Sequence, residues 1–369
     1  MIPLFKVFIA PEVDAPLLAT LHSGYIGQGK RVEEFERALA PFVQNENVLT
    51  VNSGTAALNL ALRLANVGPN SEVISSPMTC LASNMPILER GADIVWADIN
   101  PSTGNIDPDD IKHLITSRTK AILCIHYGGY PCDLDEINEI GTEYGIPIIE
   151  DAAHAFCAVY KGGRIGSYSD FVCFSFQAIK HITSIDGGAC VCRNKSNYER
   201  GKLLRWYGID REEGGRVDYR CENDVAEWGH KYHLNDICAT VGLANLKYTE
   251  KIMAAHRFNA YLYDSELSDM RGIHLPKYYQ DRISSYWLYL LFVDNRSAFM
   301  EYMREAGIAV SRVHARNDKH SFARKYDIRP LPGVDEFFNK QVAIPVGQWL
   351  TRDDKEYIIN KMREFDGAI

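Results

Sequence analysis

Residues 47–65 read NVLTVNSGTAALNLALRLA. Asn47–Val51 has the apolar, β-branched make-up of a buried strand, and Thr55–Ala65 has the spacing of a helix. Between them lies Asn52-Ser53-Gly54-Thr55, a turn in which Ser53 or Thr55 can cap the helix. Gly54 lets the backbone approach a ligand closely. The free N–H groups of the first turn and the helix dipole then face an anion, most naturally a phosphate. A plain helix cap accounts for the same residues. The stretch is neither G-x-G-x-x-G nor G-x-x-x-x-G-K-[ST], so a dinucleotide or P-loop site has no motif behind it.

The same alternation continues outward. Strands are expected at Glu72–Ser76, Ile94–Ala97, Ala121–His126, Pro147–Glu150, Phe171–Phe176 and Gly188–Cys192. Helical patterns occupy Val32–Phe42, Leu81–Arg90, Asp107–Ile115 and Leu134–Tyr144. Apolar strands alternating with helices predict an α/β fold, with a mostly parallel sheet covered on both faces. Ligands of such sheets lie beyond the carboxyl ends of the strands. After about residue 240 the pattern changes to a long helix, Asp236–Asn259, a strand-like run Ser285–Val293 and a helix Arg296–Ala306. This predicts a smaller α+β domain, with residues 1–245 and 246–369 as the two units.

Composition bounds the function. The chain has 369 residues, 40 Lys and Arg against 48 Asp and Glu, and a net charge of −8. An acidic balance argues against nucleic-acid binding. No apolar run reaches the ~18 residues of a membrane span, and the first residues lack the features of a signal peptide. The nine cysteines form no C-x-x-C pair, and several lie in apolar segments. They are expected to be reduced, buried thiols of a cytoplasmic protein, with no metal site.

Two further strand ends carry reactive groups. Ile148-Ile149-Glu150-Asp151 ends a strand on an acid pair, and alternation sends the two carboxylates to opposite sides. One can hold a protonated ring nitrogen or a metal, or be an ordinary strand-end acid. Lys180 lies in a short loop between two core strands. Partial desolvation there would lower its pKa and sharpen its amine as a nucleophile, whereas a solvated loop lysine would do neither. An anion site, a carboxylate and a loop lysine in one α/β domain form the set that pyridoxal 5′-phosphate requires.

With these motifs the chain resembles the nucleotide-sugar aminotransferases, the DegT/StrS group of fold-type I pyridoxal-phosphate enzymes. The resemblance rests on GYIG at 24–27 with VEEFE at 32–36, NSGTAAL at 52–58, EDAAHA at 150–155, SFQAIKHIT and DGG between 175 and 188, and KYHLNDICATVGL at 231–243. It implies that Lys180 is the Schiff-base lysine and proton shuttle, and that Asp151 pairs with the pyridinium nitrogen. It places Ser53, Gly54, Thr55 and Ser175 at the phosphate and His154 beside the ring oxygen. Asn235 corresponds to an asparagine that reaches the phosphate of the neighbouring subunit, which implies a homodimer with composite active sites. At the usual place of a ring-stacking aromatic, this chain has Cys80.

The resemblance further implies L-glutamate as amino donor and a nucleotide-linked keto-sugar, such as a 4-keto-6-deoxyhexose, as acceptor. The product would be an amino-sugar for lipopolysaccharide O-antigen, another surface glycan or a glycosylated natural product. Relatives that dehydrate the sugar replace the lysine by histidine, so Lys180 argues for transamination. A non-catalytic regulator would have little reason to keep Lys180 and Asp151 together. Substrate contacts are expected from Arg205-Trp206-Tyr207-Gly208-Ile209-Asp210-Arg211 and from Arg312-Val313-His314-Ala315-Arg316-Asn317-Asp318-Lys319-His320, runs that polar surface loops would also explain, with Arg205, His314 and Arg316 the main candidates and Tyr127 and His181 as further ones. The Tyr and Trp residues after position 280 are expected in the core.

Overall fold

The computed structural model describes residues 1–210, 224–326 and 329–366. Its central sheet has seven strands in the order Val48–Val51, Gly188–Cys192, Phe171–Ser175, Ile148–Asp151, Thr119–Ile125, Glu72–Ser75 and Asp93–Trp96. The last five run parallel to one another, and Gly188–Cys192 runs antiparallel to both its neighbours. The reason lies in the connection. Residues 176–187 contain no helix to carry a parallel crossover, so the chain turns back on itself. That turn holds Lys180.

Side chains alternate between two apolar layers. Leu49, Ala121, Leu123 and Phe171 pack on one face with the helix Gly54–Leu64. Val48, Ile122, Cys124 and Val172 pack on the other with the helices Lys30–Val43 and Leu134–Tyr144. Six of the cysteines are buried in these layers as small apolar groups, and all eight described cysteines are free thiols. Cys221 lies outside the described residues.

In the C-terminal region the antiparallel strands Ile273–His274, Tyr289–Val293 and Gln341–Ile344 form a second sheet. The helices Thr249–Leu267, Arg296–Glu305 and Arg352–Asp366 pack with it around Tyr263, Phe299 and Met362. Two expectations need correction. The long helix is broken into Asp236–Leu246 and Thr249–Leu267. Thr249 Oγ1 bonds the Leu246 carbonyl at 2.7 Å, and Tyr248 turns aside to pack on Phe8 and reach Glu12 at 2.9 Å. The strand expected from Ser285 begins only at Tyr289. Before it, the N–H groups of Ser285 and Leu288 bond the carbonyls of Gly129 and Gly128, at 3.0 and 3.1 Å, so this stretch belongs to a clasp between the two sheets.

The acid pair separates as alternation requires. Glu150 is fully buried and meets His126 Nε2 at 2.8 Å. Nδ1 of His126 accepts the Cys132 N–H at 3.1 Å, so Nε2 carries the ring proton and donates it to Glu150. Glu150→Gln keeps an acceptor there but loses the charge-assisted bond, and should be less stable by about 1–2 kcal/mol in thermal melts at pH 7. A variant that melts with the parent would remove the pair from the account of stability.

Candidate active site

A cleft of about 310 Å³ opens where the parallel strands end. Ser53, Gly54 and Thr55 form one wall. Ser53 Oγ caps the helix by accepting the Ala56 N–H at 3.1 Å, which leaves the first-turn N–H groups of Gly54 and Thr55 for a ligand. Ser175 stands against Gly54. A Cβ at position 54 would lie 2.9 Å from the Ser175 Cβ, so this approach needs glycine.

Asp151 lines the cleft from the strand end. It is 5 % exposed, and each carboxylate oxygen is held: Oδ2 accepts the Ser83 hydroxyl at 2.6 Å and Oδ1 the Ala153 N–H at 3.0 Å. Ser83 in turn meets Thr79 Oγ1 at 2.7 Å. The carboxylate is thereby fixed before any ligand arrives. Cys80 lines the same cleft at the start of the helix Leu81–Glu89.

Lys180 projects from the 176–187 turn into this cleft, with Nζ 3.8 Å from the ring centroid of Trp287. Desolvation lowers its pKa to about 8, against the opposing pull of Asp151 and Cys80. A substantial share of the amine is therefore neutral near pH 7–8. His154 stacks on Trp287 at 3.9 Å, and burial, helped by the Lys180 charge, holds it neutral. Its Nδ1 is buried without a hydrogen-bond partner. His314 closes the far side, its pKa lowered to about 4 by burial and then by Lys180.

The cleft thus gathers Ser53, Gly54, Thr55, Cys80, Asp151, His154, Ser175, Lys180 and, of the substrate candidates, His314. The others lie elsewhere. Arg205 is buried against Glu36 and the Thr50 carbonyl, and Arg316 against Asp318 and Asp335. A guanidinium this deep needs a carboxylate, and each has found one inside the fold. His181 bonds the Ser285 carbonyl at 2.9 Å, and Tyr127 lies fully buried behind His154 and His314. Asn235 caps the helix Asp236–Leu246 through the Cys238 N–H at 2.8 Å and does not line the cleft of its own chain. Arg211 lies outside the described residues. Sequence reasoning missed Ser83, Gln177, Asp186 and Trp287, all of which line the cleft. Trp287 sat inside an apolar run that looked like core.

Residues 9–363 match the model of the DegT/DnrJ/EryC1/StrS aminotransferase family. The chain belongs to this family. Among solved structures, the sugar aminotransferase CalS13 from Micromonospora echinospora is 38 % identical with a TM-score of 0.94, over 99 % of this chain and 100 % of that one. Spr1654 from Streptococcus pneumoniae, solved in a PLP form, is 28 % identical with a TM-score of 0.90, over 100 % and 99 %. The spore coat polysaccharide biosynthesis protein SpsC of Bacillus subtilis is 30 % identical over 379 residues, 98 % of this chain and 96 % of its own.

The chain is an aminotransferase, and its cofactor is pyridoxal 5′-phosphate. The residues fit that group. The capped helix start suits a phosphate, the pre-fixed Asp151 a protonated ring nitrogen, the orphaned Nδ1 of His154 a polar ring substituent, and Lys180 an aldehyde. Among the described residues no helix is long and apolar enough to cross a membrane.

Proposed function

We propose that this aminotransferase moves the amino group of L-glutamate to a nucleotide-linked keto-sugar, a 4-keto-6-deoxyhexose, in two half-reactions at one site. The observation that carries this reading is the partly neutral amine of Lys180, held in the same cleft as a fixed carboxylate. The sugar specificity is supported by the likeness to CalS13, and a role in surface polysaccharide by the likeness to SpsC.

Each residue has a task at a stated atom. The N–H groups of Gly54 and Thr55, with the Ser175 hydroxyl, hold the phosphate. Asp151 keeps a proton on the ring nitrogen by charge. The bound cofactor supplies an electron sink for the pair left on the donor Cα. Lys180 Nζ takes the proton from that carbon and returns it on the other side of the exchange. His154 and His314, both neutral, present hydrogen-bonding nitrogens to the cofactor and the substrate without adding positive charge. The geometry and sequence also support a homodimer with composite sites in a reducing, cytoplasmic setting: Asn235 does not line the Lys180 cleft of its own chain, and the described thiols are all free.

The test uses ¹⁵N-labelled L-glutamate with GDP-, dTDP- and UDP-linked keto-sugars, followed by mass spectrometry. One sugar should acquire the label, and glutamate alone should yield one equivalent of 2-oxoglutarate per site. A protein that releases no 2-oxoglutarate refutes the donor. Label appearing in no sugar refutes the acceptor.

A further inference from the structure

The segment Ser284–Leu288 joins the C-terminal sheet to the His154 side of the cleft and to the turn that carries Lys180. Ser285 Oγ donates to the His154 carbonyl at 2.6 Å, and the Ser285 carbonyl accepts from His181 Nε2 at 2.9 Å. His256 Nδ1 meets the Tyr286 carbonyl at 2.8 Å. Trp287 Nε1 donates to the carbonyl of Ile179, the residue before Lys180, at 3.0 Å. Tyr286 is held at φ +50°, a left-handed conformation that is unfavourable for a non-glycine residue. Surrounding bonds hold this conformation in place and so fix the direction of the next side chain.

That side chain is Trp287, 4 % exposed and layered with Phe5 at 4.8 Å and His154 at 3.9 Å. Its ring centroid is 3.8 Å from Lys180 Nζ. The other groups that act on the Lys180 amine are Asp151, at a strand end, and Cys80, at a helix start. His154, His181 and His314 lie within reach of its charge, and all three are driven toward the neutral form. The carboxylate and the thiol both favour the ammonium, so what opposes it is the exclusion of water. Trp287 is the largest apolar surface against the amine.

We propose that Trp287 is a positioning residue for Lys180: its indole N–H pins the lysine turn at Ile179, and its ring keeps water from one side of the amine. The ring face itself attracts an ammonium. Exclusion of water works against that attraction and is the largest influence on Lys180, whose pKa is lowered to about 8. The inference rests on the assignment of Lys180 above, and the experiment separates the two.

The full-length chain, freed of cofactor, is pulse-labelled by reductive methylation at pH 6–10, and the Lys180 peptide is quantified by mass spectrometry. Lys30, whose side chain is 84 % exposed, serves as internal control. In the parent chain Lys180 should titrate near 8. In Trp287→Leu the midpoint should rise by about one unit, so labelling at pH 7 slows about tenfold. Trp287→Phe keeps a ring but loses the N–H, should shift by about half as much, and carries the test if the leucine variant fails to fold. A Lys180 curve that superimposes on the parent in both variants, or moves down, overturns the proposal. Borohydride reduction of the parent holoenzyme tests the underlying assignment separately: a label on any lysine other than 180 overturns that assignment, whatever the Trp287 variants do.

Discussion

Lys180→Ala should fold, bind pyridoxal 5′-phosphate and turn over several orders of magnitude more slowly than the parent chain. Folding should survive because the side chain projects from a turn into a cleft and fills no core position. Its loss removes one ammonium–ring contact with Trp287, worth about 0.5–2 kcal/mol, and relieves the cost of desolvating a charge. Cofactor binding should survive because the capped helix start, Ser175 and Asp151 are built independently of the lysine. Turnover should not survive. General acid–base assistance alone is typically worth ~10²–10⁴-fold, and the covalent anchor is lost as well. Release of 2-oxoglutarate in rapid-mixing experiments provides the measurement. Near-parental turnover in the variant would move the reactive amine to another residue.

The reach of sequence reasoning follows from the range of the interactions involved. Strand and helix positions are set by local periodicity, and Gly188–Cys192 or Leu134–Tyr144 could be placed to the residue. The cleft residues at strand ends were legible for the same reason: Ser53, Asp151 and Ser175 each end an apolar run. Failures came where a distant partner decides the outcome. Arg205 looks like a phosphate ligand until Glu36, 169 residues away in the chain, is seen to meet it. The break at Tyr248 draws on Phe8 and Glu12, which lie some 240 residues away. Trp287 is the clearest case. Its apolar surroundings promise a buried strand, but bonds to Gly128 and Gly129 hold the segment out of the sheet and turn the indole toward Lys180.

Asp151→Asn should lower turnover at least about 100-fold while leaving the fold nearly unchanged, and its neighbour Glu150 should behave in the opposite way. The amide introduced at position 151 can keep both contacts: its oxygen accepts the Ala153 N–H, and its NH2 donates to the Ser83 hydroxyl, which turns to accept. What disappears is the negative charge that keeps the ring nitrogen protonated, and with it the pull on electrons from the donor Cα. Removing one preorganised electrostatic partner in a water-poor site commonly costs ~10²–10³-fold. The same charge also raises the proton affinity of Lys180, so the lysine should titrate below 8 in the variant. That shift is independent of turnover and follows directly from Coulomb attraction across the cleft. Glu150→Gln removes a carboxylate one residue earlier, on the other face of the strand, where it serves His126 in the core. Assayed at a temperature where the variant is still folded, it should keep parental turnover while melting earlier. The two substitutions change the same functional group on adjacent residues, and only the pleat of the strand separates their effects. If Glu150→Gln abolished turnover and Asp151→Asn spared it, the face of the sheet that does chemistry would have been assigned the wrong way round.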